Sequence, residues 1–354
     1  MKDLKIEETI PSYSVGMLPT SKDLNIPALS GLFRHTTNSY KYIFFLSILE
    51  LLKDRNFSVK EPFSFHDLTI EMLVTAWFPH TFFKLSFGTQ DTLTNKLDQL
   101  ELDFSNASSI NTTPNRNLLR SVIGKKNLEK AIRLMDFVPY RLLIPFLEDK
   151  LKSVDKGAWM KLEYAMPEIA NTNFNIEKPL YRFDSKSYKN CSSLFIHPEW
   201  AIYLEKHFSI IFGWAAWNWL FFMQKKNPAT PGLSNKLFIP QRRDSLNTQK
   251  KYWREILKNN KDIEFKCIYS GFRLKPEQFS LDHYLPWSFV VHDQLWILVP
   301  TLPSINSAKS NKIPSNRYFN QFVEFQHRGL LIAKEKFSTK RFEKFTESYI
   351  SDLI

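Results

Sequence analysis

Cysteine is nearly absent from this chain: Cys191 and Cys267 are the whole complement in 354 residues. Two thiols make neither a disulfide framework nor a thiolate zinc site, and such usage fits a reducing cytosol. Glycine is scarce too, at nine residues, which argues against a Gly-rich loop architecture. No Walker-type phosphate loop occurs, so the chain has no ATP motor of its own. The N-terminal stretch MKDLKIEETIPSYSV lacks the basic-then-apolar pattern of a secretion signal. The run from Phe208 to Met223 is apolar but contains Asn218 and falls short of the roughly 20 residues that a membrane span needs. It reads as a buried helix, and the protein as cytoplasmic without membrane contact. Repeats and low-complexity tracts are missing as well.

What is present is ordinary for a soluble globular protein, with 43% hydrophobic and 24% charged residues. The length suggests about two domains. The 31 Phe and nine Trp supply core. The net charge of +12 is uneven, because residues 225–354 hold 22 Lys and Arg against 12 Asp and Glu. A basic last third points to a polyanion, with nucleic acid first among candidates.

Pro11, Pro19 and Pro27 make residues 1–30 irregular. Tyr40, Phe44, Ile48 and Leu51, with Ile43 beside them, keep helical spacing after the candidate caps Thr37, Asn38 and Ser39. Ser47 shares that face and can bond back to a carbonyl one turn earlier. Tyr40 is read as core and Lys41 as a surface residue. A second helix is expected over FHDLTIEMLVTAWF, and a loop from about Ser105 to Pro114. Helices follow in RNLLRSVIG, NLEKAIRLMDF and YRLLIPFLEDKLKSV. LYRF and SLFI, within 166–196, suggest a small β element. HPEWAIYLEKHFSIIFGWAAWNWLFFMQKK reads as one long, mostly buried helix.

NPATPGLSN is a clear break. The expected organisation is a mainly helical recognition or dimerisation domain over 1–225, a basic linker and helix over 226–262, and a third segment over 263–354. Arg242, Arg243, Lys250, Lys251, Arg254 and Lys258 crowd into the linker segment.

The chemistry concentrates near the C-terminus. From Phe265 the chain reads as a strand, a turn at Ser270–Gly271, the strand FSLDHYL, the short run LWILVP and a polar helix beginning near Pro303. That is a β-hairpin closing onto a helix. Cleaving a phosphodiester needs an activated water and neutralisation of developing charge. Histidine suits a general base at neutral pH, so His283 is the candidate. Mg²⁺ prefers oxygen ligands and keeps several waters, so Asp282 and the Asn306 amide carbonyl suffice as protein ligands. Neighbours on a strand point to opposite faces, so Asp282 and His283 must flank a metal and phosphate from a twisted strand end. Lys309 lies one helical turn after Asn306 and can face the same anion.

The ordered set LDHYLPWSF and NSAKSNKIPS resembles the HNH, or ββα-metal, endonucleases over roughly Phe265 to Ala333. The first run is similar to the Asp-His-x-x-Pro strand of the HNH domain in RNA-guided nucleases. The second resembles its metal-binding Asn, Lys-Ser and Pro-Ser loop. The resemblance implies an α+β chain in which a largely α-helical N-terminal domain precedes a C-terminal ββα-metal nuclease module. It implies a metal-dependent endonuclease, with DNA favoured over RNA, in bacterial restriction or anti-phage defence. His283 would be the general base, Asp282 and Asn306 the ligands of Mg²⁺ or Mn²⁺, and Lys309 the catalytic phosphate contact. Arg242, Arg243, Lys250, Lys251, Lys309 and Lys312 would bind nucleic acid, and a homodimer or a defence-system partner protein would complete the assembly.

Two departures stand out. Ile297 in LWILVP occupies the position of the family's middle Asn, which orients the loop carrying the His. Cys267 stands where one zinc-binding Cys would, but Ser270, Leu302 and Ile305 fill the other places, which argues against zinc. Trp287, Trp296, Phe279 and Leu298 are then candidates for a small packed core. Ile297 motivates an alternative, a catalytically impaired HNH-fold nucleic-acid-binding protein; another is a nuclease subunit active only in a complex. His292 is read as a loop residue. His35, His66, His80, His197, His207 and His327 lack metal-ligand spacing among themselves and are read as structural or exposed.

Overall fold

The structure, a computed structural model, describes residues 18–34, 36–89, 91–104, 114–152, 159–238, 245–259 and 264–353. His35, Arg242, Arg243, most of the expected loop over 105–114 and the N-terminal 17 residues lie outside this set. The chain divides into two compact units, 1–102 with 115–228, and 103–114 with 229–354.

The first unit is mostly helical. At its centre lies α1 (Tyr40–Asp54), in which every residue from Tyr42 to Leu49 is buried. A helix apolar on all sides belongs inside a core. Ser47 is tolerated there because its hydroxyl donates to the Ile43 carbonyl at 2.8 Å. Strand β1 (Phe63–Ser64) leads into α2 (Phe65–Trp77). Ser64 caps α2 by accepting from the Asp67 amide at 3.0 Å. Against α2 lies α3 (Arg116–Gly124). Arg116 and Arg120 of α3 hold the buried Glu71 of α2, the latter at 2.6 Å, so that charge is paired as burial requires. Helix α4 (Trp159–Thr172) precedes β2 (Tyr181–Phe183) and β3 (Ser193–Ile196), and the antiparallel order is β1-β3-β2. LYRF and SLFI therefore supply the expected β element.

Three stretches differ from the sequence reading. Ile26–Ser30 is a helix rather than irregular chain, because Asn25 caps it and Pro27 sits in the first turn, where a missing N–H costs nothing. Residues 132–151 break into four short helical pieces, since Pro139 and Pro145 cannot donate. The expected long helix is two, α5 (Pro198–Lys206) and α6 (Phe208–Lys226). His207, at φ −116° and ψ 21°, lies off the α region and restarts the ladder. Helix α6 buries one face and exposes Ile210, Trp217 and Phe221 on another. Among the described residues, no helix is long and apolar enough to cross a membrane.

In the second unit a short helix, Leu233–Leu237, with Lys236 buried, precedes α7 (Asn247–Lys258), whose Tyr252, Trp253, Ile256 and Leu257 are buried. Its other face exposes Lys250, Lys251, Arg254 and Lys258. The chain then makes a tight knuckle at 265–274. Gly271 takes φ 73° there, in the left-handed region that glycine enters without a Cβ clash. The knuckle carries isolated bridges, such as Lys266 to Arg273, in place of the expected strand. Strand β4 (Ser280–His283) pairs instead with β5 (Leu298–Thr301), Asp282 opposite Val299 and His283 opposite Leu298. Helix α8 (Pro303–Lys309) follows, so the hairpin that closes onto a helix is β4-β5-α8. Helices α9 (Phe319–Lys336) and α10 (Thr339–Leu353) complete the unit. A Cβ on Gly329 of α9 would stand 2.8 Å from the Trp253 ring, so glycine permits the close approach of α7. The fold is thus α+β, with a helical N-terminal region and small antiparallel sheets.

A candidate nuclease centre at the β-hairpin

Strand alternation sends Asp282 and His283 in different directions, as their neighbours show. Asp282 points into the unit and is 3% exposed. Its Oδ2 accepts from the Tyr269 hydroxyl at 2.6 Å, and its Oδ1 from Lys309 Nζ at 3.1 Å. Lys309 is the last residue of α8 and also donates to the His283 carbonyl at 2.7 Å. One ammonium thereby ties the end of the helix to the strand. Burial pushes the Asp282 carboxyl up, against the opposing pull of Lys309 and the Tyr269 hydroxyl. Burial, joined by the charge of Asp282, likewise pushes the Tyr269 phenol up.

Asn306 sits one turn before Lys309. Its Nδ2 donates to Ser280 Oγ at 2.7 Å and to the Leu281 carbonyl at 3.2 Å. Both acceptors lie on β4 beside Asp282, and the bonds fix which way the amide faces. Its Oδ1 has no protein donor among the described residues. Lys309 uses two of its three donors inward, with its side chain 8% exposed. Lys312, beyond the helix, is exposed.

His283 finds a partner that the sequence reading missed. Its Nε2 lies 2.7 Å from Asp293 Oδ1, and both side chains are largely shielded from solvent. A carboxylate only accepts, so Nε2 carries a proton, and in the neutral imidazole the lone pair is then on Nδ1. The loop geometry explains how Asp293 arrives. The short helix Trp287–Val290 ends at Val291 with φ 56°, a strained conformation for a β-branched residue. That turn brings the chain back toward β4. The signal in the sequence was the pair His292–Asp293 between apolar runs. His292 itself stays in the loop, its Nδ1 accepting from the Gln294 amide at 3.4 Å.

Ile297 is 2% exposed and packs into the core of this unit with Leu281, Tyr284 and Leu298. Phe279 and Trp296 pack partly buried against the same core, while Trp287 stays outside it. Cys267 is buried, 3.0 Å from Thr301 Oγ1. Elsewhere, His80 pairs with Asp98 and His197 caps α5.

Among the described residues, no group of three or more His, Cys, Asp or Glu could hold a metal ion. The donors present are oxygens: the Asp282 carboxylate, whose oxygens accept from Tyr269 and Lys309 and each keep a further lone pair, and Asn306 Oδ1. This set suits a hard cation that keeps several waters.

Residues 267–315 match the family model for HNH endonuclease. Within the C-terminal unit, this segment is similar to the HNH endonucleases. The matched span covers most of the knuckle, the hairpin and α8, and it includes Asp282, His283, Asp293, Asn306 and Lys309. No curated protein and no solved structure matches the chain.

Proposed function

We propose that this protein is a metal-dependent endonuclease that hydrolyses phosphodiester bonds, with DNA favoured over RNA, and acts in the cytoplasm in bacterial restriction or anti-phage defence. The observation that carries the reading is the junction of β4 and α8, where Asn306 bonds Ser280 and the Leu281 carbonyl while Lys309 bonds Asp282 and the His283 carbonyl, tying the helix to the strand that bears Asp282 and His283.

In this reading Asp282 and Asn306 Oδ1 hold Mg²⁺ or Mn²⁺. The ion supplies charge neutralisation at the scissile phosphate and its leaving oxygen. His283 takes a proton from the attacking water at Nδ1. Asp293 keeps the other ring proton on Nε2 and fixes the ring, a positioning role. Lys309 steadies the buried Asp282 charge and turns its third donor toward the phosphate. Lys250 and Lys251, on the exposed face of α7, and Lys312 track the nucleic-acid backbone, with affinity that falls as salt rises. Arg242 and Arg243 would extend that track. The N-terminal helical unit serves recognition, dimerisation or docking of a partner protein.

Ile297 does not favour the impaired-enzyme reading. Its side chain belongs to the core, and Asp293 already orients His283. The test is cleavage of matched DNA and RNA substrates with Mg²⁺, Mn²⁺ or EDTA by the wild type and Asn306→Ala. Metal-dependent cleavage, preferring DNA, with a raised metal requirement in Asn306→Ala supports the reading. Cleavage that persists in EDTA contradicts it.

A further inference from the structure

The N-terminal unit contains a cavity of about 670 Å³ between the start of α1 and the segment 137–148. Lys41 faces it and is half-buried, not a surface residue as its place beside Tyr40 suggests. No hydroxyl or carboxylate among the described residues bonds its ammonium. Arg141 is the charged neighbour, and burial together with that like charge pushes the Lys41 ammonium down. Arg141 gives its Nε to Glu163 at 2.5 Å, while its two terminal nitrogens have no protein acceptor among the described residues. Arg34, also on the wall, is exposed and likewise unpaired there. The one carboxylate on the lining is Glu148, which is exposed. Phe137 supplies an apolar platform, 49% exposed, with the Arg141 guanidinium 5.0 Å from its ring centre.

A half-buried cation without a counter-charge costs stability; Glu163 already compensates Arg141, so Lys41 is the charge left unmatched. Such an arrangement persists where an anion compensates it. The volume lies within the small-molecule range and exceeds what a lone inorganic anion fills. A ring face beside cationic donors suits a flat group joined to a multiply charged one.

We propose that this cavity binds a nucleotide-class organic phosphate, its phosphate held by Lys41 and Arg141 and its base or sugar set against Phe137. The site is built from residues of the N-terminal unit and shares none with the proposed nuclease centre, and its test reads binding and stability without cleavage, so either reading can fail alone.

The experiment is calorimetric titration of the full chain with ADP, adenosine and inorganic phosphate, for the wild type and Lys41→Met. Methionine keeps the stem of the side chain and removes the charge. ADP is expected to bind more tightly than adenosine or phosphate alone. Lys41→Met should weaken ADP by about tenfold or more, the loss of one charge-assisted contact. The ligand-free variant should melt no lower than the wild type, because it sheds an uncompensated charge. The proposal is overturned if ADP does not bind, if Lys41→Met binds it equally, or if the ligand-free variant is destabilised, which would make Lys41 structural. Capture of a 5′-phosphorylated oligonucleotide with no affinity for ADP would also overturn it.

Discussion

Replacing Asp293 with asparagine preserves the size of the side chain and changes its hydrogen-bond character. In the native pair, Asp293 Oδ1 accepts at 2.7 Å from His283 Nε2. An asparagine can instead turn its NH₂ toward Nε2 and move the ring proton to Nδ1. The imidazole then has no lone pair facing the water. A hydrogen bond to a charged group contributes about 1.5–3 kcal/mol, which corresponds to roughly 10- to 100-fold in rate. The ceiling is the whole contribution of a general base, about 10²- to 10⁴-fold. Asp293→Asn should therefore lower kcat by about 100-fold and leave KM within about threefold. Single-turnover cleavage of a short labelled duplex, over a range of substrate concentrations, separates the two. The unfolding midpoint should stay near that of the wild type, since the amide still bonds the ring. A kcat within about threefold of wild type, or a loss confined to KM, would refute the positioning role.

Other consequences follow from the same packing. Lys309→Met leaves the buried Asp282 without its cation and should cost about 3–5 kcal/mol, read as a lower denaturant midpoint; no change would mean that the pair contributes little. Ile297→Asn introduces the residue usual in the HNH endonucleases that this segment resembles but puts an amide into a closed core, so it should destabilise by about 2 kcal/mol or more and fail to raise activity; a stable, faster variant would contradict the assignment of Ile297 to packing. Burial pushes Lys236 down to about 8 from an ordinary 10.5. Between those values the unfolded chain holds the extra proton, so stability rises with pH in that window. Lys236→Met should remove up to about 1.4 kcal/mol per pH unit of that rise, measured by denaturation at pH 7.5 and 9.5; identical slopes in the two proteins would contradict it.

Much of the centre could be read from the sequence because its parts are local. Asp282 and His283 are adjacent, and Asn306 and Lys309 are one helical turn apart, so spacing alone suggests their grouping. Asp293 was hidden because its contact depends on a left-handed Val291, which no residue type there announces. The Asp282–Lys309 bond was hidden for a different reason. Spacing puts Lys309 near an anion but does not say whether that anion is a substrate phosphate or a buried carboxylate. In the first unit, the β element and α1 to α3 follow from periodicity and caps. The break at His207 carries no Pro or Gly to mark it, whereas Pro139 and Pro145 did mark the broken stretch after residue 131. The first strand expected after Phe265 failed because Gly271 closes a knuckle too tight to sustain a ladder, and β4 found its partner in β5.

The most direct measurement is nicking of supercoiled plasmid by the wild type and His283→Ala, each with Mg²⁺, Mn²⁺ or EDTA. The expected result is metal-dependent nicking by the wild type that His283→Ala loses by about 100-fold or more. Equal nicking by both proteins would contradict the assignment of His283 as the base. Absence of nicking by either, with either metal, would contradict an active nuclease in the isolated chain.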